Sequence, residues 1–327
     1  MVWLQFMLSA AALVYTAIKL AEYGDVIAVR TRLSGMFIGT LLIAGATSLP
    51  ELLSAINAIR HGVPDLAAGS MFGSSMFNMF VLALLDLIYQ NARILRRVAM
   101  SHALTASLGN LLAGIAVFAI LANIDGKIGW VGLDSVAIML VYAGGIRLLQ
   151  GNRPPAPAEE EMIDEGVPTL RRAAAGFALA VLVLLFVTPI LVRSAAQIAE
   201  STGISSGFIG ITLLAMVTSL PELVTTIAAA RLGAYDLAIG NLFGSNIFNM
   251  FALGLTDFFY LPGRFLGAID PQFALAGLLG LLLTGMGLIG NLARVERRLV
   301  FVELDAALIL LGYLGSMWFL FVRGIGV

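Results

Sequence analysis

The sequence predicts an all-α polytopic membrane protein with ten transmembrane helices, arranged as two inverted five-helix repeats in which helices 2 and 7 are discontinuous. Three observations lead there. The composition is too apolar for water, the apolar runs have the length of membrane spans, and a long segment of the first half recurs in the second.

Of the 327 residues, 60% are hydrophobic and only 12% are charged. A soluble domain carries about twice that charged share, so lipid is the expected solvent for most of the surface. A formal net charge of −1 and the lack of a basic stripe leave no basis for a nucleic-acid partner. The absence of cysteine excludes disulfides, thiol catalysis and Cys-ligated metal. Two histidines, His61 and His102, are too few for an imidazole cage, and no cofactor is expected.

A helix needs about 20 apolar residues to cross the hydrocarbon core. Candidate spans fall at 2–21, 33–59, 64–89, 99–122, 129–149, 172–192, 204–230, 235–260, 267–290 and 301–322. The first has no basic segment before it and reads as a span rather than a cleaved leader. Most connectors are short. The exception, 151–171, is rich in proline and acid (Glu159, Glu160, Glu161) and reads as a solvated linker. It divides the chain into a first repeat, 1–150, and a second, 172–327. With ten crossings, the loops after helices 1, 3, 5, 7 and 9 hold 14 of the 19 Lys and Arg residues, and the other set holds 5. The positive-inside bias then puts both termini outside and the linker in the cytoplasm, in a plasma (cell inner) membrane.

The strongest signal is a self-match at an offset of 171 residues, in which 37–80 aligns on 208–251 without gaps. Thr-Ser-Leu-Pro-Glu-Leu recurs at 47–52 and 218–223, and Gly-Ser-x-x-Phe-Asn-Met-Phe at 73–80 and 244–251. Chance likeness between lipid-facing helices would share Leu, Ala and Val, not Thr, Ser, Pro, Glu and Asn in order. Five crossings per repeat is an odd number, so the second copy enters from the opposite face. Inverted repeats with broken helices and a midplane site are a common plan for secondary transporters.

Glu51 and Glu222 lie inside apolar segments. A charge at the bilayer centre costs at least about 2.5–3.5 kcal/mol, which makes each a functional candidate. Each follows a proline, Pro50 or Pro221, that has no N–H to give the carbonyl four residues back, Ala46 or Val217. Neighbouring carbonyls, those of Ala44 and Ala215, are expected to tilt out of the ladder too. Free carbonyls at that depth need a partner, and a bound cation supplies one. Thr47, Ser48, Thr218 and Ser219 flank the breaks. Ser74 and Asn78 are four apart and share a helix face, as do Ser245 and Asn249. Gly69, Gly73, Gly240 and Gly244 form small faces that let helices approach closely.

Pooled, these donors are hard oxygens, which suit Ca2+ with its roughly six to eight ligands, and Na+ by the same logic. Two carboxylates balance one Ca2+ in formal charge. Emptied, they need Na+ or protons before the unloaded site can cross, which is a physical basis for exchange.

The paired T-S-L-P-E and G-S-x-x-F-N motifs resemble the two alpha repeats of the cation/calcium exchangers, especially the sodium/calcium exchangers. The resemblance implies an antiporter, not an enzyme, moving Ca2+ against Na+ by sliding helices 1 and 6 past the others. It implies Glu51 and Glu222 as central carboxylates, with Thr47, Ser48, Ser74, Asn78, Thr218, Ser219, Ser245 and Asn249 lining the ion sites, and the carbonyls of Ala44 and Ala215 for Na+. Three positions depart from the family pattern. Ala46 and Val217 stand where glycine is usual, and Asn249 where many relatives carry aspartate, which argues against potassium dependence.

Other readings remain open at this point: H+/Ca2+ exchange on the same scaffold, an intramembrane protease using paired acids, or a scaffold that transports nothing. Asp86 and Asp257 also match across the repeat, as gates, proton sites or interfacial caps; Asp65 and Asp236 read as partners of helix N-termini, and Glu22 and Arg193 as interfacial helix ends. The oligomeric state stays open, with a monomer as the working expectation.

Overall fold

In a computed structural model of the chain, residues 1–31, 44–89, 99–151, 168–293, 298–299 and 302–325 are described. The central part of the linker, the residues expected to open span 2, and Arg93, Arg96 and Arg97 lie outside them.

The protein is mostly helical. The first half holds α1 (Val2–Arg30), α2 (Leu49–Arg60), α3 (Pro64–Ile88), α4 (Ala99–Ala122) and α5 (Leu133–Gly151). The second holds α6 (Leu170–Thr202), then α7 (Ser206–Ile209), a π turn (Gly210–Leu214), α8 (Ala215–Thr218) and α9 (Leu220–Arg231) in one bent run. It continues through α10 (Tyr235–Thr256), α11 (Phe265–Ala268), α12 (Phe273–Ala293) and α13 (Leu304–Val322). Two-residue hairpins precede α5 and α13: β1 (Lys127–Ile128) with β2 (Val131–Gly132), and β3 (Arg298–Leu299) with β4 (Val302–Glu303).

Among the described residues, six helices are long and apolar enough to cross a membrane, or up to seven when the bent run 206–231 counts as one span. Their burial sorts them into layers. The apolar windows of α3 and α10 are 72% and 83% buried, against 28% for those of α6 and α13. The two helices that carry Gly-Ser-x-x-Phe-Asn are therefore the centre of the molecule. Around them pack α4 and α12, and α2 and α9. On the far side α1 and α6 lie along each other, closely enough that a Cβ on Gly176 would sit 2.5 Å from the Tyr23 ring. The pairing with the core is crossed: α1 rests on α9, and α6 on α2.

Several boundaries differ from the sequence expectation. Span 6 was expected to end at residue 192, yet α6 runs 33 residues, past Pro189 and Arg193, to Gly203, whose φ of 71° supplies the left-handed cap. Likewise α1 passes Glu22, which pairs with Lys19 at 2.7 Å on the helix surface. Glu22 and Arg193 are thus mid-helix residues, not helix ends. Span 9 starts at Phe273 rather than 267, because Pro271 disfavours helix at the residue before it and Ile269 is extended (φ −75°, ψ 135°).

The loops between α4 and α5 and between α10 and α12 are tied together by one buried acid. Asp257 Oδ2 accepts from the Gly132 N–H at 2.7 Å and Oδ1 from the Phe265 N–H at 2.6 Å. Arg264 adds bonds to the Ile124 carbonyl and Asn123 Oδ1, and pairs with Asp134 at 3.4 Å. Of the roles open to Asp257, the cap is the one these contacts support. Asp257→Ala is expected to strand two N–H groups and cost about 2–4 kcal/mol. A lowered unfolding temperature of the purified protein checks it; an unchanged one would remove the cap. Asp65 takes the Asp270 N–H at 2.9 Å, and the exposed Asp236 lies 3.4 Å from Nε2 of the buried His102.

Candidate cation site

The site is built where the two proline breaks meet the two central helices. Ser48 and Ser219 end the helical turns before Leu49 and Leu220, with almost the same backbone angles: φ −89°, ψ 4° and φ −91°, ψ 2°. This bridge region is sparsely populated and is common at functional residues. Pro50 and Pro221 then sit in the first turn of α2 and α9, where a missing N–H is tolerated. The run around the second break bends by 41°.

Beyond each break the carboxylate turns inward. Glu51 and Glu222 are fully buried, and so are Thr47, Ser48, Ser74, Asn78, Thr218, Ser219, Ser245 and Asn249. Two interlocked clusters result. Glu51 Oε1 accepts from Ser219 Oγ at 3.1 Å and Ser74 Oγ at 3.3 Å. Glu222 Oε1 accepts from Ser48 Oγ at 2.8 Å and Ser245 Oγ at 3.2 Å. Ser74 and Ser219 are 2.6 Å apart, and Ser48 and Ser245 are 2.8 Å apart. Asn249 Nδ2 donates to Ser74 at 3.0 Å, and Asn78 Nδ2 to Ser245 at 3.2 Å.

Every one of these contacts has a mate at the 171-residue offset: Ser48–Glu222 becomes Ser219–Glu51, Ser74–Ser219 becomes Ser245–Ser48, and Asn78–Ser245 becomes Asn249–Ser74. The contacts are thus reciprocal between the two copies of the motif. Each carboxylate takes one hydroxyl from its own half and one from the other.

Four oxygens of the clusters have no hydrogen-bond partner although buried: Glu51 Oε2, Glu222 Oε2, Asn78 Oδ1 and Asn249 Oδ1. Leaving such atoms unpaired costs about 1–3 kcal/mol each, more for a charge. All four are hard acceptors, the chemistry a Ca2+ or Na+ ion requires.

The two carbonyls expected to leave the ladder do not. The Ala44 carbonyl accepts from the Ser48 N–H at 2.9 Å and from Thr47 Oγ1 at 3.1 Å. The Ala215 carbonyl accepts from the Ser219 N–H at 3.0 Å and from Thr218 Oγ1 at 3.3 Å. Helical bonding persists up to the hinge serine on both sides. Thr47 and Thr218 both bond backbone carbonyls of the turn before the break, and Thr47 also reaches the Glu222 carboxylate.

Close packing holds the breaks against the central helices. A Cβ on Gly69 would lie 2.5 Å from the Gly207 carbonyl oxygen, and one on Gly73 2.7 Å from Ile211 Cα. Across the repeat, one on Gly244 would lie 3.0 Å from Ala44 Cβ. Of the small faces expected from the sequence, Gly69, Gly73 and Gly244 are close contacts, with Gly73 the tightest of these.

Sequence reasoning missed three polar groups beside the site. Asn241 Nδ2 donates to Thr225 at 3.0 Å and Thr226 at 3.1 Å, lashing α10 to α9 just past Glu222. Asn246 Oδ1 accepts from Asn78 Nδ2 at 2.9 Å. Asn110 lines a cavity behind α3 and α10. Each is an amide in one repeat only, with Ser70, Ser75 and Leu281 at the matching positions, so a search for identical pairs passes over it. The signal available was an amide inside an apolar run.

Comparison with known proteins places the chain in a family. The profile of the sodium/calcium exchanger protein family matches residues 1–148 and 172–322. The sodium/calcium exchanger MaX1 of Methanosarcina acetivorans is 29% identical over 80% of this chain and 84% of its own length. Among solved structures, the sodium-calcium exchanger NCX_Mj superposes with a TM-score of 0.62 at 24% identity, covering 97% of this chain and 99% of that one. An H+/Ca2+ exchanger, CAX, superposes with a TM-score of 0.67 at 15% identity, covering 99% of this chain and 89% of that one. The chain is an integral membrane protein that belongs to the sodium/calcium exchanger family, a family of Ca2+ antiporters.

Proposed function

We propose that this protein is a secondary active antiporter that exchanges Ca2+ for Na+ by alternating access, through a site held by Glu51 and Glu222. The observation that carries the reading is the reciprocal pair of clusters with four buried, unpartnered oxygens, two of them carboxylate. Two carboxylates balance one Ca2+. Without it they leave two negative charges in a low-dielectric interior, a state too costly to carry across. Na+ ions lower that cost, and the neutral Ser, Thr and Asn oxygens suit them.

The ten-helix, inverted-repeat plan belongs to the same proposal, as do halves at 1–150 and 172–327 joined by 151–171. The crossed packing of α1 on α9 and α6 on α2 supports it. The site side chains are shut off from solvent on every side, so ions enter only when something moves. The peripheral pair α1 and α6 is the element placed to do so. We place both termini outside the cell's inner membrane, from the distribution of arginine and lysine, and take the transporting unit to be a monomer, since one chain supplies both clusters.

Purified protein in liposomes loaded with Na+ is expected to take up Ca2+ against a Na+-free bath, with no uptake when a proton gradient replaces the Na+ gradient. Uptake driven by protons at zero Na+ would instead assign the H+/Ca2+ reaction to the same site. No Ca2+ flux under Na+, K+ or proton gradients would reject transport.

A further inference from the structure

The two clusters are mates, but their surroundings are not. Behind α3 and α10, between them and α4 and α12, lies a cavity with about 20 Å³ open to the centre of a water-sized sphere, room for about one water molecule. All of its lining but Met250 falls in pairs at the 171-residue offset, so it straddles the relation between the halves. The polar members break that relation: Asn246 stands opposite Ser75, Asn110 opposite Leu281, and Thr284 opposite Ala113.

The break reaches the cation site through one bond. Asn246 Oδ1 accepts from Asn78 Nδ2 at 2.9 Å, which holds the Asn78 amide with its nitrogen toward α10 and leaves Oδ1 as the unpartnered atom. On the other side Ser75 spends its hydroxyl on the Met71 carbonyl, and Asn249 Nδ2 bonds Ser74. The carboxamide of Asn78 is thus keyed from outside the clusters by an amide, and that of Asn249 is not. The other amide atom of Asn246, Nδ2, is buried without a hydrogen-bond partner, in a residue that lines the cavity.

We propose that Asn246 is a positioning residue: it fixes the orientation of the Asn78 amide so that Asn78 Oδ1 is presented to the cation, and thereby makes the two related halves of the site unequal. This rests on the Glu51/Glu222 site proposed above. An amide that flips offers N–H in place of oxygen, which a cation repels, so a partner accepting from Nδ2 holds the productive orientation. Groups that orient a ligand in this way typically govern affinity by about ten- to a hundredfold.

The test is equilibrium binding of Ca2+ to the purified full-length chain, with unfolding temperatures measured in chelator. Asn246→Ser gives the second half the residue of the first. It is expected to weaken Ca2+ binding by about tenfold and to leave the chelator-state unfolding temperature unchanged. Asn246→Asp keeps an oxygen facing Asn78 Nδ2 and is expected to restore binding to wild-type strength or better. Wild-type binding in Asn246→Ser, or equal weakening in both variants, would overturn the inference. Glu51→Gln separates the two levels: if it binds Ca2+ as wild type does, the site itself is misplaced and the inference goes with it. If it loses binding while Asn246→Ser does not, only the role of Asn246 is lost.

Discussion

Glu222→Gln and Glu51→Gln are each expected to abolish Ca2+ uptake while leaving the protein folded. Glutamine keeps the shape and one acceptor oxygen, so the bonds from Ser48 and Ser245, or from Ser219 and Ser74, have somewhere to go. What disappears is one of two negative charges facing a divalent ion in a buried site. Removing one member of a buried charge pair costs about 3–5 kcal/mol, on the order of a hundred- to a thousandfold in affinity. Stability reports the same event with a sign. At a hundred times its Kd, Ca2+ should stabilise the wild type by about 2.7 kcal/mol, and the two variants not at all. In chelator the order should reverse or level, because the variants no longer bury two like charges. The readout is the unfolding temperature of purified protein with Ca2+ and with chelator. A variant that keeps its Ca2+-dependent rise would remove that carboxylate from the site.

Gly73→Ala is expected to be nearly as damaging, although it adds a single methyl group. That methyl would sit 2.7 Å from Ile211 Cα and 2.8 Å from Ala215 Cβ. Part of the obstacle is backbone, which cannot rotate aside. Overpacking of this kind costs about 1–3 kcal/mol. Here the strain also pushes the π turn and α8 away from α3, and so moves Ser219 off Ser74 and Glu51. The expected result is lowered stability together with Ca2+ transport reduced at least about tenfold, since a displacement of about 1 Å at a preorganised site suffices for that. Gly114→Ala is the control. Its added carbon meets nothing within 4 Å, and alanine is the better helix former by about 1 kcal/mol. Equal behaviour of the two variants would show that the close approach at Gly73 is not what holds the bent run in place.

The positions that make up the candidate site are legible in the sequence because they are written twice. A glutamate in an apolar run is conspicuous, but the 171-residue offset is what ties Thr47, Ser48, Glu51, Ser74 and Asn78 to their mates. The cross-bonding was not legible. That Ser48 serves Glu222 rather than Glu51 depends on how the halves dock, and no spacing within one half encodes it. The Ala44 and Ala215 carbonyls were misjudged because the position of a proline says which donor is missing, not how far the ladder relaxes around it. Asn241, Asn246 and Asn110 escaped for the opposite reason to the paired residues: each appears once. The tie made by Asp257 and Arg264 was out of reach, since it needs two loops from different halves to close on one carboxylate.

The exchange of hydroxyls between the halves has a consequence for how such a molecule can be made. Neither half owns a finished binding place: each would strand an acid one hydroxyl short of its quota, inside oil. The two pieces must therefore reach the same patch of membrane in equal number, and at the same time. Encoding both in a single message meets that condition automatically, which two separate products of unequal synthesis could not.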